Sequence, residues 1–225
     1  MRKIWTVILI SVFIATLNGC AVNFYKGKPE QAAKIQQLTA QVEDLEQARR
    51  LLEDRLSQEI TDKQVLLEKT SRGLIITMAN DILFDSGKAK LKSDAHSMLK
   101  KIATVLNENV ADRDVGVEGH TDNVPITHSG WKSNWELSTA RATSVLHYLI
   151  DECGVAPQRL SAIGYGEYRP VDTNETRVGK ARNRRVEIII LPKEITKRSY
   201  EETTTRVSEE AKTAEESKAP EESIK

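Results

Sequence analysis

The chain has 225 residues, with 33 Lys+Arg set against 33 Asp+Glu and 39% apolar content. Its length fits one compact domain with extensions. Its charge balance argues against nucleic acid as a partner, because a phosphate-binding module presents a net basic surface.

The chain opens MRKIWTVILISVFIATLNGC, two basic residues before an apolar run from Ile4 to Leu17. That run falls short of the roughly 20 residues a spanning helix needs and matches the central region of a secretory signal. It holds no ionisable residue, which disfavours a proton-conducting motor stator. Leu17-Asn18-Gly19-Cys20 resembles a bacterial lipobox; the alternative is an ordinary signal peptide that contains a cysteine. The resemblance implies a lipoprotein signal peptide over residues 1–19, with Cys20 acylated by chains such as palmitate. Ala21 is not the Asp that would resemble an inner-membrane retention signal, so the expected address is the periplasmic face of the outer membrane, with its lipid as a partner. Cys153 is then the remaining thiol, and no intramolecular disulfide is available. Beside Gly154 at a helix end, it reads as a small buried hydrophobe.

Residues 20–30 read as a short tether carrying Gly and Pro. Beyond them, Ile35, Leu38, Val42, Leu45, Leu52 and Leu56 recur mostly three or four apart, which is the seam of a coiled coil. Arg49 interrupts the seam and Ile60 is out of register with it. The pattern predicts a helical spacer over residues 31–71, about 60 Å long for roughly forty residues; a coiled coil, which would make the chain a homo-oligomer, is favoured over a lone helix, since a solitary helix this polar is marginal in water.

A folded domain is expected over residues 72–192. GLIITMAN and DILF read as strand. Ser93 is placed to cap a helix carrying Ala95, Leu99, Ile102, Val105 and Leu106 on one face. A strand follows at 114–119, and then a long loop, NVPITHSGWK. Ser133 with Glu136 forms a capping box for a helix carrying Ala142, Val145, Leu146 and Leu149, which Gly154 terminates. RLSAIGYG reads as strand, 177–184 as a short helix or loop, and RVEIIIL as the last strand. This alternation implies crossovers and some parallel pairing. Residues 193–225, rich in Glu-Glu pairs and nearly devoid of apolar side chains, are expected to be disordered.

In VEGHTDN, residues 117–123, an alternating run stops at a bare carboxylate, Asp122. Four readings compete there: turn chemistry, a metal ligand, a catalytic base, or half of a ligand clamp. His120, Asp122 and His128 can be drawn as a zinc triad, but nothing in the sequence supplies a general base, so no enzyme, metal or cofactor is expected. GYGEYRP lacks the third glycine and following helix of a dinucleotide loop.

Five blocks, ILFDSGKAKLKSDA, VGVEGHTDN, NWELSTARATSVLHYL, LSAIGYGEYRP and ARNRRVEIII, resemble in order and spacing the OmpA-like C-terminal domain family. That family includes OmpA, peptidoglycan-associated lipoprotein and MotB. The resemblance implies an α+β fold of βαβαβ type with a mixed sheet, and non-covalent binding of peptidoglycan at the meso-diaminopimelate of its peptide stem. Position by position, it places the binding aspartate at Asp122 and the binding arginine at Arg141. Thr121 and Asn134 fall on pocket positions, and Asp85 and Arg185 on motif positions near it. Ser86-Gly87 and the long loop from Asn123 to Lys132 lean towards the MotB-like branch. The implied role is an outer-membrane-anchored tether to the cell wall, or alternatively a flagellar-motor-like or other envelope-machine component.

The chemistry suits the ligand. Diaminopimelate adds a second amino-carboxylate centre to a lysine-like chain, so a selective site needs an anion and a guanidinium. Asp122 accepts from the ammonium, and Arg141 holds the carboxylate in a fork that Lys does not reproduce.

Overall fold

The computed structural model describes residues 29–127 and 130–193. The expected signal peptide, Cys20, His128 and the tail beyond Lys193 lie outside the described residues. The chain divides into two compact units, one of which is Gln41–Lys193. The described part of the other is residues 29–40, the first half of helix α1 (Pro29–Arg55).

The spacer predicted over 31–71 is not one helix. After α1 come a short helix, α2 (Ser57–Thr61), and an edge strand, β1 (Val65–Thr70), separated by Lys63 at φ 57°. A stripe of leucines four and seven apart suits a partner helix and a domain surface equally. Here Leu45, Leu52 and Leu56 join the buried cluster of the 41–193 unit, whereas Ile35, Leu38 and Val42 stay exposed. The domain therefore begins before the expected boundary at residue 72.

Strand β1 turns back through Ser71-Arg72 into β2 (Gly73–Ala79). The strand expected to run on through DILF stops there, and Asn80–Leu83 is a helical turn, α3. Helix α4 (Ala95–Glu108) leads to β3 (Val115–His120), helix α5 (Asn134–Asp151) to β4 (Leu160–Gly164), and helix α6 (Arg177–Asn183) to β5 (Arg185–Ile190). The sheet order is β1-β2-β5-β3-β4. Among the described residues only β3 and β4 pair in parallel, with α5 as their crossover. The expected α+β architecture with a mixed sheet is what the chain adopts.

One sheet face is apolar. Leu74, Ile76 and Met78 of β2, Val115 and Val117 of β3, and Val186, Ile188 and Ile190 of β5 are buried in one cluster with Leu99, Ile102 and Leu106 of α4 and Val145 and Leu149 of α5. Strand period two sends Glu118, His120, Arg185 and Glu187 to the opposite face, and these are buried too.

Glycine sets how closely α5 approaches. Gly119 pairs with Gly164 across the parallel ladder. A Cβ on Gly119 would sit 2.1 Å from the Ser138 carbonyl oxygen, and one on Gly164 would sit 2.2 Å from Thr139 Oγ1. The smooth patch lets the first turns of α5 lie directly on the C-terminal ends of β3 and β4. The Ser133 cap forms as expected, its hydroxyl accepting from Glu136 N at 3.5 Å while Glu136 Oε2 accepts from Lys132 N at 2.8 Å. Ser93 does not cap α4; Asp94 holds that position, with no side-chain cap bond.

Candidate functional site

Where β3 ends, the backbone is held from several sides. Thr121 N donates to Gly166 O at 2.9 Å, and Asn80 Nδ2 donates to His120 O at 3.1 Å. Asp122, only 7% exposed, follows. Its Oδ1 accepts from Val124 N at 3.1 Å, closing an Asx turn, and its Oδ2 accepts from Arg184 Nη1 at 2.9 Å. The carboxylate thus serves as turn residue and as charged wall of a cavity.

Arg141 reaches the same cavity from α5, about two turns after Asn134. Helical side chains tilt towards the N-terminus, which carries this one back over the end of β3. It is 5% exposed. Its Nε donates to Lys88 O at 2.9 Å, its Nη2 lies 3.5 Å from Asp85 O, and its guanidinium sits 5.3 Å from the Phe84 ring centroid. Among the described residues no carboxylate lies within ion-pair distance of it. Burial, reinforced by the nearby Arg184 charge, pushes its pKa down to about 10 although Asp81 and Asp122 pull the other way. The group stays cationic at neutral pH, yet it is dehydrated and has only carbonyl partners. A buried cation in that condition favours an incoming anion.

Arg184 was missed by the sequence reading, which named Arg185. Residue 184 is the C-cap of α6, lines the cavity and bridges Asp122 and Asp81. Burial works against its charge, but the hydrogen bonds it donates to Asp122 and Asp81, with the charges of those two carboxylates, outweigh it and hold the pKa above the ordinary value. Arg185, the first residue of β5, points to the other sheet face, where Nε donates to Glu187 Oε1 at 2.6 Å and Nη2 to Arg169 O at 3.2 Å. Adjacent residues at a strand start face opposite ways, so only one arginine of the pair can enter the cavity.

The cavity measures about 800 Å³, and Thr121, Asp122, Asn134, Arg141 and Asp85 all line it. Thr121 Oγ1 is buried and has no hydrogen-bond partner among the described residues. Asn134 is a positioning residue: its Nδ2 donates to Glu167 Oε2 at 2.8 Å and Val124 O at 3.1 Å, tying the loop after β3 to the start of α5. Asp85 is exposed at the rim, where Lys88, at 3.0 Å, holds its carboxyl below the usual range. Trp131 Nε1 donates to Gly87 O at 2.9 Å, fastening the long loop to the opposite wall.

Of His120, Asp122 and His128, the last lies outside the described residues. The His120 ring stacks on Tyr165 at 5.4 Å instead of lining the cavity, and both Asp122 oxygens are engaged. Glu118, His120 and Glu187 cluster on the far face of the sheet. Arg72 pairs with Glu118 and Arg185 with Glu187, so two guanidiniums already neutralise the two carboxylates.

Residues 83–184 match the model of the OmpA family. The structure of the cell wall anchor of the T6SS from Pseudomonas aeruginosa is 36% identical, with TM-score 0.57, and covers 63% of this chain and 97% of that one. The chain belongs to the OmpA family. That family comprises non-enzymatic, peptidoglycan-binding anchors. Motility protein B of Bacillus subtilis (strain 168) is 40% identical over 154 residues, 68% of this chain and 59% of its own length. Probable lipoprotein YiaD of Escherichia coli (strain K12) is 36% identical over 140 residues, 62% of this chain and 61% of its own. The chain thus spans about three fifths of these two curated relatives.

Proposed function

We propose that this OmpA-family chain binds peptidoglycan non-covalently by gripping the meso-diaminopimelate of a peptide stem between Arg141 and Asp122. One observation carries the reading: Arg141 is a buried guanidinium without an anion, in a cavity whose other wall is the Asp122 carboxylate. The stem carboxylate completes Arg141. The ammonium docks on Asp122, in part replacing Arg184, which retains Asp81. Thr121 offers its free hydroxyl, Asn134 fixes the loop, and Asp85 marks the rim. Arg185 acts from behind by holding the start of β5. Charge-assisted hydrogen bonds contribute roughly 1.5 to 3 kcal/mol each, so one module holds one stem weakly after association costs.

Acylation at Cys20 would place the chain on the periplasmic face of the outer membrane as a wall tether, a reading supported by the similarity to a probable lipoprotein. The exposed Ile35, Leu38 and Val42 offer a short self-association stripe, and paired modules would raise residence on the wall through effective concentration. A second reading, an envelope-machine component using the same domain for wall anchoring, is favoured by the likeness to Motility protein B and to a T6SS cell wall anchor.

Sedimentation with purified sacculi tests the site: the wild type pellets, and Asp122→Ala and Arg141→Ala stay in the supernatant. Both variants pelleting like the wild type would refute it. Cys20→Ser leaving the protein in the detergent phase would refute the anchor.

A further inference from the structure

Beside the cavity stands an aromatic pair to which no function has been given. Trp135 follows the cavity residue Asn134 in α5, and Tyr168 follows Glu167, whose carboxylate accepts from Asn134. The two rings stack at 5.1 Å between centroids with 21° between planes, and they are 47% and 64% exposed. Their backbone is fixed. Thr139 Oγ1 and Ser138 Oγ donate to Trp135 O at 2.8 and 3.0 Å, and Tyr168 N donates to Tyr165 O at 3.2 Å. Among the described residues, neither Trp135 Nε1 nor the Tyr168 hydroxyl has a hydrogen-bond partner.

A rigid flat ring face edged by free donors binds at low ordering cost. It matches a pyranose, whose face of axial C–H bonds meets the electron-rich ring surface while its hydroxyls accept from the edge. The surroundings favour a sugar over a protein: exposed Lys132, Glu136 and Arg169 neighbour the two rings in sequence, and such polar, hydrogen-bonding company suits a hydroxylated ligand.

We propose that the Trp135–Tyr168 pair is a sugar subsite that stacks on a hexosamine ring of the glycan strand whose peptide stem enters the Asp122–Arg141 cavity. The assignment rests on the peptidoglycan reading above. The covalent link from stem to glycan strand makes sugar and stem adjacent, as aromatic pair and cavity are.

Calorimetric titration of the purified full chain with two soluble ligands tests it, one a disaccharide-peptide and the other the same peptide without sugars. The wild type should prefer the sugar-bearing ligand about tenfold. Trp135→Ala and Tyr168→Ala should each cut that preference to about twofold or less while leaving affinity for the bare peptide unchanged, and Trp135→Phe should retain part of it. Circular dichroism confirms that each variant is folded. Equal wild-type affinities would overturn the subsite, as would a preference surviving in both alanine variants. So would a change in oligomeric state on Trp135→Ala with the sugar preference intact, because the patch would then seat a second copy. Asp122→Ala distinguishes the two proposals: unchanged bare-peptide affinity in that variant defeats the cavity reading, while loss of sugar preference in Trp135→Ala still upholds the subsite.

Discussion

Asp122 and Arg141 face one cavity from adjacent elements, yet no ion pair joins them: Asp122 is closed by Arg184 at 2.9 Å, and Arg141 rests on the carbonyls of Lys88 and Asp85. The resting site is therefore asymmetric, its anion occupied and its cation bare. A ligand that brings a carboxylate gains more at Arg141 than one that brings only an ammonium gains at Asp122.

Arg141→Met should consequently separate binding from stability. Removing a dehydrated guanidinium that has no counter-ion and filling its volume with an apolar chain is neutral or stabilising, within about 1 kcal/mol. Binding to sacculi should fall at least about tenfold, from the loss of one or more charge-assisted bonds. Arg141→Lys should not restore it, because a point charge lacks the fork. Denaturant melts and sedimentation on the same samples check both halves; a large stability loss in Arg141→Met would mean the guanidinium is structural.

Gly119 should tolerate no side chain. Gly119→Ala places a Cβ 2.1 Å from the Ser138 carbonyl oxygen, backbone that cannot swing aside. Either α5 moves, carrying Arg141 with it, or the fold loses about 3 kcal/mol or more. Gly116→Ala on the same strand meets nothing closer than Ser161 Oγ at 3.8 Å, and should stay within about 1 kcal/mol of the wild type. Thermal melts of the two variants compare them directly.

Much of this was readable from the chain alone, for physical reasons. The Ser133 cap and the end of β3 at His120 rest on local chemistry, so they form where the residues dictate. Asp122 and Arg141 share the cavity because strand, tight glycine contact and helix follow one another in sequence. The failures share a cause as well. Leu45, Leu52 and Leu56 look alike whether they meet a second helix or a sheet, and VLLEKT carries no Gly or Pro to mark it off from the helix before it. Choosing between Arg184 and Arg185 required knowing where β5 begins, and strand boundaries depend on partners distant in sequence. The burial of Glu118 opposite Glu187 was likewise invisible until the sheet order was known.

That buried cluster should make stability fall in acid. Burial, with the nearby charges of Arg185, Arg169 and Arg72, pushes the His120 pKa down to about 3 from 6.5. The folded state holds the ring neutral while the unfolded chain protonates it below about 6.5, so the unfolded state binds more protons between those values. Stability is fully present above about pH 6.5 and is lost towards pH 3, at up to about 1.4 kcal/mol per pH unit from this group. His120→Gln should flatten that part of the profile. Urea melts from pH 7 to pH 4 measure the difference, and parallel profiles would show that His120 is protonated in the fold.

Helix α1 should split into two functional halves. Leu52 is fully buried in the core cluster of the 41–193 unit, so Leu52→Ala should cost about 2 to 5 kcal/mol. Ile35 and Leu38 are exposed on the same helix, and replacing both with Ser should change the unfolding free energy of the domain by about 0.5 kcal/mol or less. If that stripe forms a self-association seam, the double variant should sediment as a smaller species than the wild type at equal concentration, with an unchanged melt. The seam available is short: Ile35, Leu38 and Val42 span about two turns, less than an autonomous coiled coil needs. Association through it should therefore be weak and concentration-dependent unless membrane anchoring or the wall raises the local concentration of the chains. A double variant that sediments like the wild type across the concentration series would leave the stripe without a role in assembly.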